Sequence, residues 1–245
     1  MTDMTDTEPK PTVVLVHGAF ADASSWNGVI KNLKRQGYPV IAPANPLRGL
    51  GSDADYVAGV LKTVEGPIVL AGHSYGGSVI SGAAAGNPNV KALVYVAAFI
   101  PDKGESALEL SGRFPGSTLG GATVPAEYPL PGGGSGVELT IQQDKFHQQF
   151  AADVTRQTAE LMAVTQRPVA VAALEEGATS TAWRTIPSYA LITTGDKNIP
   201  AEALRFMAQR AGAKSVESDA SHAVTVSRPE QVADLITTAA RLTAG

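Results

Sequence analysis

A chain of 245 residues with 44% hydrophobic and 17% charged side chains can bury a sizeable core, which excludes a mostly disordered or fibrous polymer. Its 19 Lys and Arg against 23 Asp and Glu give a formal charge of −4, so no basic field is available for phosphates and nucleic acid is not an expected partner. The complete lack of cysteine removes disulfides, thiolate nucleophiles and Cys-ligated zinc together.

Residues 1–10 are polar and acidic and read as a mobile tail, without the basic start and apolar centre of a secretory leader. No apolar run approaches the ~18 residues that a membrane-spanning helix requires, so the expected location is cytoplasmic. Thr12–Val16 is the first strand-like run. A helical segment follows over Ser25–Gln36, with Trp26, Val29, Ile30 and Leu33 at helical spacing and Gly37 as its stop. Pro39–Ala42 is the next strand, and Ser52–Val64 repeats the helical spacing through Tyr56, Val57, Val60 and Leu61. Strands at Pro67–Ala71 and Ala92–Ala97 then enclose a helix over Gly77–Ala85. After a long interval come a strand at Tyr189–Thr193, a helix at Ala201–Ala211, a weak strand at Lys214–Glu217 and a helix at Pro229–Leu242.

The apolar runs lack polar alternation, as expected of strands covered on both faces, and helical segments separate them. The expected fold is therefore α/β: a doubly wound, mostly parallel sheet in a single domain, with core segments 11–98 and 188–245. Residues 99–187 form an insertion. Its first part, Pro101–Gly136, is rich in Gly, Pro and Ser and reads as irregular. Leu139–Leu174 has helical periodicity around Phe146, Phe150, Val154, Leu161 and Val164. A segment of this length beside the site described next is expected to be a helical cap or lid.

Directly after the third strand stands Gly72-His-Ser-Tyr-Gly-Gly77, with a helix-like segment behind it. A serine on so sharp a strand-to-helix turn projects its hydroxyl above the sheet, and glycines flank it because a Cβ there would strike neighbouring chain. Ser74 is thus the expected nucleophile. A serine needs a base, and of four histidines His222 lies in a loop after the last strand and before the last helix. His17 and His73 are expected to shape loops near the site, and His147 to be a solvated residue of the insertion. The acid that orients the base should end the preceding strand. Asp196 in Leu191-Ile-Thr-Thr-Gly-Asp196 does so, whereas Asp219, three positions before His222, reads as a surface competitor. The developing oxyanion needs fixed N–H donors. One is the amide of Tyr75 at the helix start, and the other comes from His17-Gly-Ala-Phe20, from Ala19 or else Phe20. Phe20 is also the candidate wall of the substrate pocket. Such chemistry needs neither metal nor organic cofactor.

Over nearly its whole length the chain resembles the α/β-hydrolase superfamily, through Val16-His-Gly-Ala-Phe20, Gly72-His-Ser-Tyr-Gly-Gly77, Gly195-Asp-Lys-Asn-Ile-Pro200 and Ala220-Ser-His222. The Ala98-Phe-Ile-Pro-Asp-Lys-Gly-Glu-Ser106 stretch is similar to small bacterial esterases and to the plant methylesterase and hydroxynitrile lyase branch. The resemblance implies a triad of Ser74, Asp196 and His222, with Tyr75 and Ala19 at the oxyanion. The lyases of that branch typically carry threonine after the first-loop histidine and lysine after the catalytic one. Here those places hold Gly18 and Ala223, which sides with hydrolysis. The expected activity is cleavage of a small-molecule carboxylic ester through an acyl-enzyme. The alternatives are perhydrolysis or acyl transfer on the same triad, or a ligand-binding module that kept the fold. Oligomeric state is not legible.

Overall fold

A computed structural model describes residues 10–243; the expected tail, except Lys10, lies outside them. The chain opens with β1 (Thr12–Val16), a 3-10 turn at Ala23–Trp26 and α1 (Asn27–Arg35). Gly37, at φ +79°, closes α1: its N–H donates to Lys34 O and the next N–H, from Tyr38, reaches Leu33 O. Then come β2 (Val40–Ile41), α2 (Leu50–Leu61), β3 (Ile68–His73), α3 (Tyr75–Ala83) and β4 (Val90–Val96).

The chain leaves the sheet after β4. The insertion contains α4 (Ala107–Gly112), β5 (Thr123–Pro129), β6 (Ser135–Ile141), α5 (Gln143–Phe150), α6 (Arg156–Thr165), β7 (Val169–Ala170) and α7 (Val171–Glu175). The core resumes with β8 (Ser188–Thr193), α8 (Ala201–Arg210), β9 (Lys214–Ser218), the single turn α9 (Val224–Ser227) and α10 (Pro229–Leu242).

Six strands form one sheet in the order β2-β1-β3-β4-β8-β9, and every pairing is parallel. Side chains alternate across each strand. Val14, Val16, Ile68 and Leu70 face a core layer that includes Val57 and Leu61 of α2 and Val79 and Ile80 of α3. Val13, Leu15, Val69 and Val94 face the opposite layer, with Val29 and Leu33 of α1 and Val232 and Ile236 of α10. Covering both faces removes the polar positions that an open sheet would show, which is why the strands read as continuous apolar runs.

The insertion differs from its expected form in two respects, the first being that Ala107–Gly112, placed in an irregular stretch, is the helix α4 with a capping box of Ser106 and Glu109. Residues 123–141, placed in an irregular stretch and the start of a helical one, form an antiparallel hairpin that β7 extends to three strands in the order β5-β6-β7. Pro125 and Pro129 are tolerated because β5 is an edge strand. Leu130 and Gly134 close the turn through a 3.1 Å N–H···O bond, with Gly132, Gly133 and Gly134 all at positive φ.

Candidate active site

In a parallel sheet all the carboxyl ends of the strands lie along one rim. The loops after β1, β3, β8 and β9 carry residues 17–20, Ser74, Asp196 and His222, so the topology alone brings these four segments together.

Ser74 sits between β3 and α3 at φ 55°, ψ −124°, a backbone conformation strained for any residue with a Cβ. Its N–H donates to Val96 O at 3.2 Å, and its carbonyl accepts from Gly77 N at 2.9 Å and Phe99 N at 3.2 Å. The surrounding glycines permit the turn: a Cβ on Gly72 would lie 2.5 Å from Gly76 O, one on Gly76 2.4 Å from Val16 O and one on Gly77 2.3 Å from Phe99 O. Gly18 presses on the serine from the first loop, where a Cβ would stand 2.7 Å from Ser74 Cβ.

Asp196 and His222 meet in a buried pair, with His222 Nδ1 2.7 Å from Asp196 Oδ2. Thr193 Oγ1 donates to the same oxygen at 2.9 Å, while Asn198 N and Ile199 N hold Oδ1 at 2.8 and 2.9 Å. Because the carboxylate takes the Nδ1 hydrogen, Nε2 is left as the imidazole's acceptor. Asp219, by contrast, has an 89% exposed side chain and stands 3.6 Å from Arg228. Among the described residues Ser74 Oγ makes no hydrogen bond. The residue before it touches His222 instead: His73 Nε2 donates to His222 O at 2.8 Å, with ring centroids 4.8 Å apart. Burial, reinforced by neighbouring His222, holds the His73 ring far below the usual imidazole range, at about 3.

The first loop is pinned from both sides. His17 Nε2 accepts from Asn45 N at 3.0 Å, which assigns the ring hydrogen to Nδ1 and its bond to Gly18 O; Asn45 Nδ2 returns a bond to His17 O at 2.9 Å. Burial lowers the basicity of this ring too. Phe20 N donates to Arg167 O in the insertion at 3.2 Å, whereas Ala19 N has no partner among the described residues. Tyr75 is the first residue of α3, where helical N–H groups lack intrahelical acceptors. Its side chain is buried, and the hydroxyl donates to buried Asp53 in the first turn of α2 at 2.8 Å.

The arrangement thus joins Asp196 to His222, ties the main chain of His222 to His73, the residue before Ser74, and lays Gly18 against Ser74. His147 is half-buried rather than solvated, because its Nε2 meets Val154 O at 3.0 Å. Sequence reasoning did not single out Asn45, Asp53 or Arg167, and read Phe150, whose ring stands edge-on to His222 at 4.9 Å, only as part of a helical repeat. No local pattern marks them, since each contact is long-range.

The chain is 33% identical over 112 residues to a carbendazim hydrolyzing esterase of Nocardioides sp. (strain SG-4G), covering 40% of this chain and 46% of that protein. It is likewise 33% identical over 113 residues to a probable hydrolase R7 of Phoma sp. (strain ATCC 20986 / MF5453), again 40% of this chain and 46% of the relative, so each match spans less than half of its relative's length. The crystal structure of polyneuridine aldehyde esterase superposes with a TM-score of 0.81 over 94% of this chain and 98% of that one at 20% identity, a likeness of fold. Residues 13–235, from the first strand into the last helix, match the model of the alpha/beta hydrolase family, and the chain belongs to that family.

Proposed function

We propose that this chain hydrolyses carboxylic esters through an acyl-enzyme on Ser74. The observation that carries the reading is the buried Asp196–His222 pair, tied through His73 to a serine held at φ 55° on a glycine-walled turn. In the first half-reaction Ser74 Oγ attacks the ester carbonyl carbon and its proton passes to His222 Nε2. The tetrahedral oxyanion lies against the N–H groups of Tyr75 and Ala19. Ala19 is preferred to Phe20 because the Phe20 N–H is engaged by Arg167 O. Collapse breaks the C–O bond, and the alcohol leaves with the proton from His222. Water, deprotonated by His222, then hydrolyses the acyl-serine.

Hydrolysis is favoured over lyase chemistry by the residues at two positions. A threonine at Gly18 would meet Ser74 Cβ at 2.7 Å, and the buried Ala223 carries no charge to hold an anionic leaving group. A cleft of about 500 Å³ beside the first loop, running from Phe20 and Ala21 past Leu161, Met162 and Thr165 to Val226 and lined by none of Ser74, Asp196 and His222, is the proposed seat of an apolar part of the ester.

The open Ser74–His222 link favours one second reading, a ligand-binding module with a misaligned triad. Catalytic hydrogen bonds are often long before substrate arrives, which fits the hydrolase reading equally. A fluorophosphonate probe separates the two. Covalent labelling on the Ser74 peptide, together with loss of p-nitrophenyl acetate turnover in Ser74→Ala, is the expected result. An unlabelled Ser74 speaks for the binding module, and parent-level turnover by Ser74→Ala overturns the mechanism.

A further inference from the structure

Helix α5 belongs to the insertion, yet two consecutive residues at its end hold the two loops that carry Asp196 and His222. Its buried face is Phe146, Gln149 and Phe150, the i, i+3, i+4 stripe of an amphipathic helix. A glutamine on such a stripe is costly to bury unless its amide is satisfied. Gln149 Nε2 donates to Lys197 O at 3.0 Å and Asn198 Oδ1 at 2.8 Å, and Oε1 accepts from Thr118 Oγ1 at 2.8 Å. The carbonyl of Lys197 can only accept, so it fixes which end of the amide is the NH2. Lys197 and Asn198 directly follow Asp196, and the N–H groups of Asn198 and Ile199 occupy Asp196 Oδ1, which leaves Oδ2 to Thr193 and His222.

The next residue serves the other loop. Phe150 O accepts from Ala223 N at 2.9 Å, on one side of His222, and Ser221 Oγ, on the other, lies 3.4 Å from the same oxygen. Ser221 Oγ also donates to Asp153 Oδ1, two residues beyond Ala151. His222 is thus held on both flanks by the turn that follows Gln149.

We propose that Gln149 is a positioning residue for the Asp196–His222 pair, and that α5 is a fixed brace between their loops rather than part of a moving lid. Gln149 touches neither reacting atom; it acts through the 197–199 turn. This rests on the triad reading given under Proposed function. The prediction is directional: loosening the turn lets the carboxylate rotate away from Nδ1, which slows proton transfer while substrate binding is unaffected.

The test compares the full-length parent with Gln149→Leu, Thr118→Val and Thr118→Ser on p-nitrophenyl acetate, beside Ser74→Ala. For Gln149→Leu we expect kcat to fall about tenfold or more with KM within about twofold. Fluorophosphonate labelling of Ser74 should slow in parallel. The downfield proton resonance of the His222 Nδ1–H, present in the parent, should broaden or move upfield. Thr118→Val should show a smaller loss of the same kind, and Thr118→Ser, which keeps the donor, should behave as the parent. Should Gln149→Leu not fold, Thr118→Val against Thr118→Ser decides by the same readouts. Parent-level kcat and resonance in the folded variants, or a rise in KM at constant kcat as a lid would give, overturn the inference while an inactive Ser74→Ala leaves the triad reading standing. An active Ser74→Ala overturns both.

Discussion

His73 gives its Nε2 hydrogen to the backbone carbonyl of His222 across 2.8 Å, so the residue before the proposed nucleophile fixes the main chain of its proposed base. The ring is neutral, because it is buried and its Nδ1 has no partner among the described residues to take a second hydrogen. His17 is likewise buried and lowered in basicity, with Nε2 accepting from Asn45 N. Two rings beside the site therefore stay uncharged in the folded chain.

Acid sensitivity follows. Below pH 6.5 the unfolded chain protonates both histidines, whereas the folded chain keeps His73 neutral down to about 3. The unfolded state then binds more protons, so stability is full above 6.5 and falls as pH drops, by up to about 1.4 kcal/mol per pH unit from His73. Asp53, whose carboxyl burial pushes up, acts in the opposite sense by taking its proton earlier when folded. Glu105, lowered chiefly by its bond from Arg210, adds to the loss only near and below 4.5. Urea midpoints between pH 7 and pH 5 should decrease steadily, and a folded His73→Gln variant should show a shallower slope. A flat midpoint over that interval contradicts the neutral burial of these rings.

The turn around Ser74 makes a second expectation sharp. Gly18→Ala puts a methyl 2.7 Å from both His73 O and Ser74 Cβ and 3.3 Å from Ser74 Oγ. Neither backbone nor a Cβ can yield cheaply, so we expect a loss of about 1–3 kcal/mol in stability. The shift of Ser74 should lower kcat about a hundredfold, as a misplacement near 1 Å does. Gly86→Ala is the contrasting case: its φ is positive, at +72°, unlike that of Gly18, and nothing lies within 4 Å of a Cβ there, so its cost is backbone strain alone and turnover is unchanged. Parent-level esterase activity in Gly18→Ala rejects the packing of the first loop on Ser74.

The oxyanion assignment is open to the same kind of test. With the Phe20 N–H on Arg167 O, replacing Ala19 by proline removes the proposed second donor. The expected result is a fall in kcat of about a hundredfold to a thousandfold with a native-like thermal midpoint. If the folded Ala19→Pro variant keeps the parent kcat, the second donor lies elsewhere.

These relationships differ in how they are written into the chain. The parallel core was legible because strands such as Val13–Val16 are buried on both faces and carry no polar alternation. Ser74, Asp196 and His222 were legible because each sits next to a strand end with its own local signature. The β5–β6 hairpin was obscured by Pro125, Pro129 and the three consecutive glycines, whose chemistry suits an edge strand and a tight turn but equally an irregular loop. Gln149 and Arg167 left no trace, since their partners Lys197, Asn198 and Phe20 are remote in sequence and a Gln or Arg on the surface has the same spelling. Local rules find residues that need a special backbone; they do not find residues whose importance lies in what folds against them.

The cleft beside Phe20 gives the last expectation, which concerns selectivity. Met162 is half-buried on α6 and faces the cleft together with Phe20 and Val226, while Leu161 at its mouth is 63% exposed. An apolar side chain left in water at the lip of an apolar cleft is the arrangement a hydrophobic substrate group would cover, at about 0.8 kcal/mol for each buried CH2. Met162→Trp should fill the cleft against Phe20 without touching Ser74, Asp196 or His222, none of which lines it. On a series of p-nitrophenyl esters from acetate to octanoate, the parent should gain in kcat/KM with chain length, by up to about fourfold per buried methylene. The variant should lose that gain while its acetate rate stays near the parent's. If both proteins show the same dependence on chain length, the acyl group lies in another part of the molecule, and Phe20 serves the first loop through its backbone bond to Arg167 alone.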